Sequence, residues 1–182
     1  MPHSALTVGN VEITVLHDAE VALPFNRTFP DVPLEAWAPY IERYPDAYSG
    51  GDSLRVHFEC YLVRSQGRTL LVDTGLGNAT SNPAVVANIG GGIDGVLLTE
   101  LEAAGFQAKD IDTVFLTHLH PDHVGWNITR TGSQESATFP NARYVANEAD
   151  WTPFETPLDS EIFGYDWWAE TVAPLRRLGV LD

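Results

Sequence analysis

Runs of apolar and β-branched residues mark the regular elements of this chain. VEITVL, Val11 to Leu16, predicts a first strand. From Arg55 to Gly75 the pattern alternates. Val56, Phe58, Cys60 and Leu62 fall on one face, Ser65 to Gly67 supply a turn, and Arg68 to Asp73 return as a second strand, which the DTGLGN segment then breaks. Apolar residues at positions 93, 96, 97, 101 and 104 follow helical spacing until Gly105 ends it. DTVFLTH is a third strongly β run, ARYVAN a shorter one, and NEADW opens a helix. The final YDWWAETVAPLRRLGVLD reads as helical and then loses its pattern.

Three segments carry no such order. Asn88 to Gly92, NIGGG, reads as a connector; it follows no strand and lacks the spacing of a phosphate loop. Thr129 to Thr138 reads as a Gly/Ser/Thr loop. Pro24 to Asp52 interleaves Pro24, Pro30, Pro33, Pro39 and Pro45 with Phe25, Phe29, Trp37, Tyr40, Tyr44 and Tyr48. LEAWAPYIERY within it has some helical spacing, which Pro39 interrupts. Such a segment suits a loop packed on the body, either a structural flap or a lid facing substrate. The order strand, hairpin, helix, strand, strand, helix predicts a mixed α/β fold, with a sheet covered on at least one side by helices. No repeat or linker divides the 182 residues, so a single domain over 1–182 is the simplest count.

Composition narrows the function classes. With 10 basic against 25 acidic residues the net charge is −15. That surface repels phosphate backbones and anionic lipid, so neither nucleic acid nor membrane is an expected partner. No apolar run reaches the ~18 residues a bilayer requires. MPHSALTVGN has no basic start and no apolar core, so no signal peptide is read and a cytoplasmic location is expected. Cys60 is the one cysteine, and in FECYLV it reads as a small buried hydrophobe.

The chemistry concentrates in THLHPDHVG, Thr117 to Gly125, which holds three of the six histidines and an aspartate. His118 and His120 stand two apart at the end of a strand, so their imidazoles share a face, while Leu119 points the other way, into the core. Pro121 biases His120 toward extended backbone and pre-sets the first turn of a helix. Asp122 and His123 then sit in a tight turn above the strand end. Imidazole with carboxylate suits Zn²⁺, and also Fe, Mn or Co. The ligands fall into two groups, His118 with His120 and Asp122 with His123, which suggests two adjacent ions rather than one closed site. His3, His17 and His57 are isolated by comparison, and His17 with Asp18 gives only a faint signal of a site.

THLHPDHVGW resembles the H-x-H-x-D-H signature of the metallo-β-lactamase-fold hydrolases. LLVDTGLG upstream is similar to the strand and turn that precede that motif in the superfamily, and so is DIDTVFLTH leading into it. NARYVANEADW after the motif is similar to the branch with quorum-quenching lactonases and methyl-parathion-hydrolase-like enzymes. The resemblance implies an αββα sandwich. It implies that His118 and His120 bind the first metal and that Asp122 and His123 bind the second, with two Zn²⁺ per complete site. It further implies that a hydroxide shared by the ions attacks a carbonyl or phosphoryl centre, that Asp122 handles a proton as the intermediate collapses, and that Asp73 steadies the ligand-bearing loops without touching the metal.

The chain also departs from that pattern. A complete member needs three more ligands downstream: a histidine, a bridging aspartate and a final histidine. No histidine follows His123, and the aspartates after it are Asp150, Asp159, Asp166 and Asp182. The expectation is a sandwich truncated to its N-terminal half, incomplete or inactive as 182 residues, with the missing ligands on a longer chain or another copy in a homo-oligomer. The expected function is metal-dependent hydrolysis of a small-molecule ester, lactone, amide or phosphotriester. The alternatives are a di-iron redox protein of the same fold and a non-catalytic metal-binding fragment.

Overall fold

The computed structural model describes residues 4–78, 81–82, 94–151 and 167–182. The chain divides into two units, one of Met1–Ala19 with Phe58–Asp182 and one of Glu20–His57.

In the first unit, strands β1 (Ala5–Val8), β2 (Val11–Pro24), β3 (Ser53–Ser65), β4 (Arg68–Val72), β5 (Thr113–Phe115) and β8 (Arg143–Val145) form one sheet in the order β1-β2-β3-β4-β5-β8. β2 and β3 run on into the second unit. β3 and β4 are antiparallel and joined through Gln66 and Gly67, both with positive φ, 50° and 74°. A two-residue loop of that kind matches the twist of the flanking strands. β4, β5 and β8 are parallel neighbours.

Register decides which side chains go inside. Leu71 lies beside Val114, and Val114 beside Tyr144. All three are fully buried, in one cluster with Leu16, Cys60 and Leu62. Three helices close this face. α3 (Leu97–Ala103) buries Leu97 and Leu101, and α5 (Trp167–Thr171) and α6 (Ala173–Arg177) supply Trp167 and Leu175, with Val172 buried between them. Each such aliphatic side chain removed from water contributes about 1.5–3 kcal/mol. The opposite face carries the alternating residues. Tyr61 pairs with Val72, Val72 with Phe115, and Phe115 with Val145, so one apolar row crosses four strands. Tyr61 and Phe115 are exposed and the two valines are half-buried.

The second unit contains α1 (Phe25–Thr28), α2 (Ala38–Arg43) and two 3₁₀ turns, Leu34–Trp37 and Pro45–Ala47. Its aromatics pack on one another. Phe25 stacks on Trp37 with centroids 4.4 Å apart, and Tyr48 meets Phe25 edge-on at 5.8 Å.

The structure corrects several expectations. Pro24–Asp52 is not wholly irregular: Pro39 occupies the first turn of α2, where its missing N–H costs no hydrogen bond, so it starts that helix instead of breaking one. β2 continues eight residues past Leu16, and β1 leaves no mark in the hydrophobic pattern because ALTV is short and exposed along its whole length. Thr129–Thr138 is no loop: β6 (Ile128–Thr131) and β7 (Gln134–Ala137) pair as a hairpin. Its Gly and Ser content hid the strand pair. The NEADW helix is the single turn α4 (Glu148–Trp151). The helix expected from position 93 begins at Leu97. The NIGGG connector, His3, Asp159 and Asp166 lie outside the described residues.

Candidate metal centre

The site grows from the ends of two parallel strands. β4 stops at Val72, and the next residue, Asp73, has φ 60°. An aspartate tolerates this left-handed backbone better than most side chains. The Asp73 N–H still bonds the carbonyl of Phe115 at 2.9 Å, so the turn stays registered to β5. β5 itself ends at Phe115, and the histidine motif follows as irregular chain. His118 and His120 therefore stand beyond the strand, not on its last residues. The side-chain alternation persists all the same: Leu119 is in the core, His118 is half-buried and His120 is exposed. Pro121 to His123 form a turn closed by the His123 N–H on the His120 carbonyl at 3.0 Å. This is not the helix start expected from Pro121. The chain turns back because the segment after it is laced to Thr74 and Gly75: Thr74 N–H to the His123 carbonyl at 2.8 Å, Gly125 N–H to the Gly75 carbonyl at 2.8 Å, Trp126 N–H to the Thr74 carbonyl at 3.0 Å.

The motif side chains meet. The ring centroid of His118 lies 4.7 Å from that of His120 and 3.9 Å from that of His123. Nε2 of His123 is 3.4 Å from Oδ2 of Asp122. Asp73 sits beneath them. Its Oδ1 accepts the Thr117 N–H at 2.8 Å; its Oδ2 accepts the Thr117 hydroxyl at 2.8 Å and lies 2.9 Å from Nδ1 of His123. The Thr117 hydroxyl in turn lies 3.1 Å from Nδ1 of His118. One carboxylate thus braces both ends of the motif. Asn82 braces the turn between, donating from Nδ2 to the carbonyls of Leu76 at 2.9 Å and Pro121 at 3.1 Å.

Electrostatics follow from this crowding. Burial, and then the charges of His123 and His120, hold His118 below the ordinary imidazole pKa, so it offers a lone pair at neutral pH. Burial also pulls on His123, but the carboxylates of Asp122 and Asp73 outweigh it and raise that imidazole to about 9. Burial pushes Asp122 upward, yet the hydrogen bond and charge of His123, with His120 near, keep its carboxyl below the usual range. Two carboxylates among three imidazoles favour positive charge that three protonated rings cannot share without repulsion. A divalent cation supplies that charge with no added proton, so the donor set fits Zn²⁺ or a similar ion.

Sequence reasoning missed Thr117, Thr74 and Asn82, whose hydrogen bonds join segments far apart in the chain. It gave Asp18 only a faint signal beside His17, and the side chain is fully buried. Of the downstream aspartates, Asp150 is on α4 and Asp182 pairs with Arg143. Cys60 is a free, buried thiol whose pKa burial pushes well up.

The model of the metallo-beta-lactamase superfamily matches residues 59–129, from β3 through the histidine motif. No curated protein sequence matches the chain. Among solved structures, the hydrolase AbOPH of the beta lactamase superfamily is 25% identical with a TM-score of 0.75, and the match covers 98% of this chain and 59% of that one. A probable metal-dependent hydrolase from Staphylococcus aureus is 22% identical with a TM-score of 0.73, over 97% of this chain and 60% of that one. AidC, a dizinc quorum-quenching lactonase, is 21% identical with a TM-score of 0.70, over 99% and 60%. The chain therefore spans about three-fifths of the length of these relatives. β4, β5, the Asp73 turn and the histidine motif all lie inside the span that matches the metallo-beta-lactamase superfamily, so it is in these elements that the chain is similar to that superfamily.

Proposed function

We propose that this chain carries the histidine motif of a metal-dependent hydrolase acting on a small-molecule ester, lactone, amide or phosphotriester. The observation that carries the reading is the packing of His118, His120 and His123 with Asp122, all braced from below by Asp73 and Thr117. His118 and His120 would hold one ion, and Asp122 with His123 a second. Bound there, a divalent metal supplies a Lewis acid and a water acidic enough to act as nucleophile near neutral pH. The residues of the chain do the rest. Asp73 and Thr117 fix the rings of His118 and His123 in place. Asp122, held ionised, accepts a proton and returns it to the departing oxygen.

Two protein ligands per ion are fewer than the three a catalytic zinc ordinarily keeps. The 182 residues alone are therefore expected to bind metal more weakly than a complete site and to turn over little. The dizinc content and N-acyl homoserine product named for AidC make zinc and a lactone the first combination to try. The test is metal content after dialysis against Zn²⁺, with hydrolysis of a lactone, an aryl ester and a phosphotriester. Substituting His118→Ala and His120→Ala together should lower bound zinc in a chain that still folds. Unchanged zinc in that variant would falsify the assignment.

A further inference from the structure

We infer that Asp18, remote in sequence and unexposed, is a positioning residue for the metal centre; the inference rests on the hydrolase reading above. The side chain is 0% exposed. Its Oδ2 accepts the N–H of Leu76 at 2.6 Å and of Gly77 at 3.2 Å. Its Oδ1 accepts the N–H of Leu97 at 2.9 Å and the indole N–H of Trp126 at 2.8 Å. These donors come from three separate places: the loop after Asp73, the start of α3, and the segment just past the histidine motif. All four are neutral N–H groups, and only a carboxylate has the two acceptor oxygens to satisfy them.

This arrangement fixes how the Asp73 loop sits against the motif. Leu76 and Gly77 follow Asp73 by a few residues, and Trp126 follows His123 by three. The two segments are stitched directly by Thr74 N–H on the His123 carbonyl and Gly125 N–H on the Gly75 carbonyl. Asp18 holds the far side of both and so closes the frame. The fit leaves no slack: a Cβ on Gly75 would stand 2.3 Å from Asp18 Oδ2. The separation that matters, Asp73 to His123 at 2.9 Å, is set by a frame that Asp18 ties at its other end.

An amide in place of the carboxylate keeps one acceptor and turns an NH₂ toward two N–H donors, so the loop and the motif must part. The probe is Co²⁺ alone, whose visible absorption reports the ligands around it. Asp18→Asn should weaken Co²⁺ binding by about tenfold or more and alter the absorption envelope, the scale usual for removing a supporting partner of a metal ligand. Trp126→Phe loses a single donor and keeps most of the ring, so it keeps the question answerable where Asp18→Asn does not fold. It should show a smaller shift in the same direction, with the far-ultraviolet dichroism of the parent. Parent-like affinity and spectrum in Trp126→Phe, or in a folded Asp18→Asn, overturn the role of Asp18 alone. A parent chain that takes up no Co²⁺ overturns the metal reading and this inference together.

Discussion

Oδ2 of Asp73 lies 2.9 Å from Nδ1 of His123, a residue fifty positions further along the chain. The contact orients the ring so that Nε2 faces Asp122, and it makes Asp73 the support on which the motif rests. Asp73→Asn keeps a side chain that tolerates φ 60° and an oxygen for the Thr117 N–H, but it removes the charge beside His123. Metal affinity measured against a chelator should fall by about 10- to 100-fold with little loss of stability. Asp73→Ala adds left-handed strain and leaves the Thr117 N–H without its partner, for a further cost of about 1–3 kcal/mol. Equal metal affinity in parent and Asp73→Asn would remove the support role.

How much of this was legible beforehand differs by element. The hairpin from Val56 to Asp73 and the third strand alternate strongly, and the register confirms their inward faces at Cys60, Leu62, Leu71 and Val114. The histidine motif was legible because ligands two and three residues apart are local information. What joins the motif to the rest was not. Asn82 and Asp18 act through hydrogen bonds to backbone groups, and Thr117 through the Asp73 carboxylate, all brought near only by the fold, and no local spacing announces them. The same limit explains Pro121, which was expected to start a helix. Propensity favours that outcome, yet backbone bonds from Thr74 and Gly75 pull the chain into a reversal.

Gly125 is required by space. A Cβ there would lie 2.0 Å from the carbonyl carbon of Leu76 and 2.1 Å from its oxygen. Both contacts are backbone, so relief means moving the 74–77 loop, with the Asp18 and Thr74 hydrogen bonds on it. Gly125→Ala is expected to cost about 2–3 kcal/mol in denaturant unfolding and to lower metal affinity as well. A stability loss with metal affinity unchanged would show that the loop can shift without moving the site.

Tyr144 gives the fold a defined response to alkali. Its hydroxyl donates to the Asn127 carbonyl at 3.3 Å and accepts the Phe139 N–H at 3.2 Å. Burial raises its pKa well above the ordinary value of 10. The folded chain thus holds this proton more tightly than the unfolded chain. The stability linked to it is complete below about pH 10 and is lost as the pH rises further. Denaturant titrations at pH 8 and pH 10.5 should show the parent losing stability between the two. Tyr144→Phe, less stable at pH 8 because two buried groups lose their partner, should lose less over the same interval. Equal losses would mean that other groups govern the alkaline limb.

The row formed by Tyr61, Val72, Phe115 and Val145 has a separate consequence. Tyr61 and Phe115 are 40% and 42% exposed, and Val63 and Leu70 flank the row on the same side of the sheet. An apolar surface running across four strands is larger than the scattered apolar residues of an ordinary exterior. A dye that fluoresces in apolar surroundings should therefore bind the folded chain. Phe115→Lys places a charge at the centre of the row without touching the core face, where Val114 and Leu116 stay buried. It should reduce dye fluorescence and raise solubility while the unfolding midpoint shifts little, since no buried contact is removed. Dye binding that is undiminished in Phe115→Lys would place the apolar surface elsewhere on the molecule and leave this face adequately covered by its own half-buried neighbours.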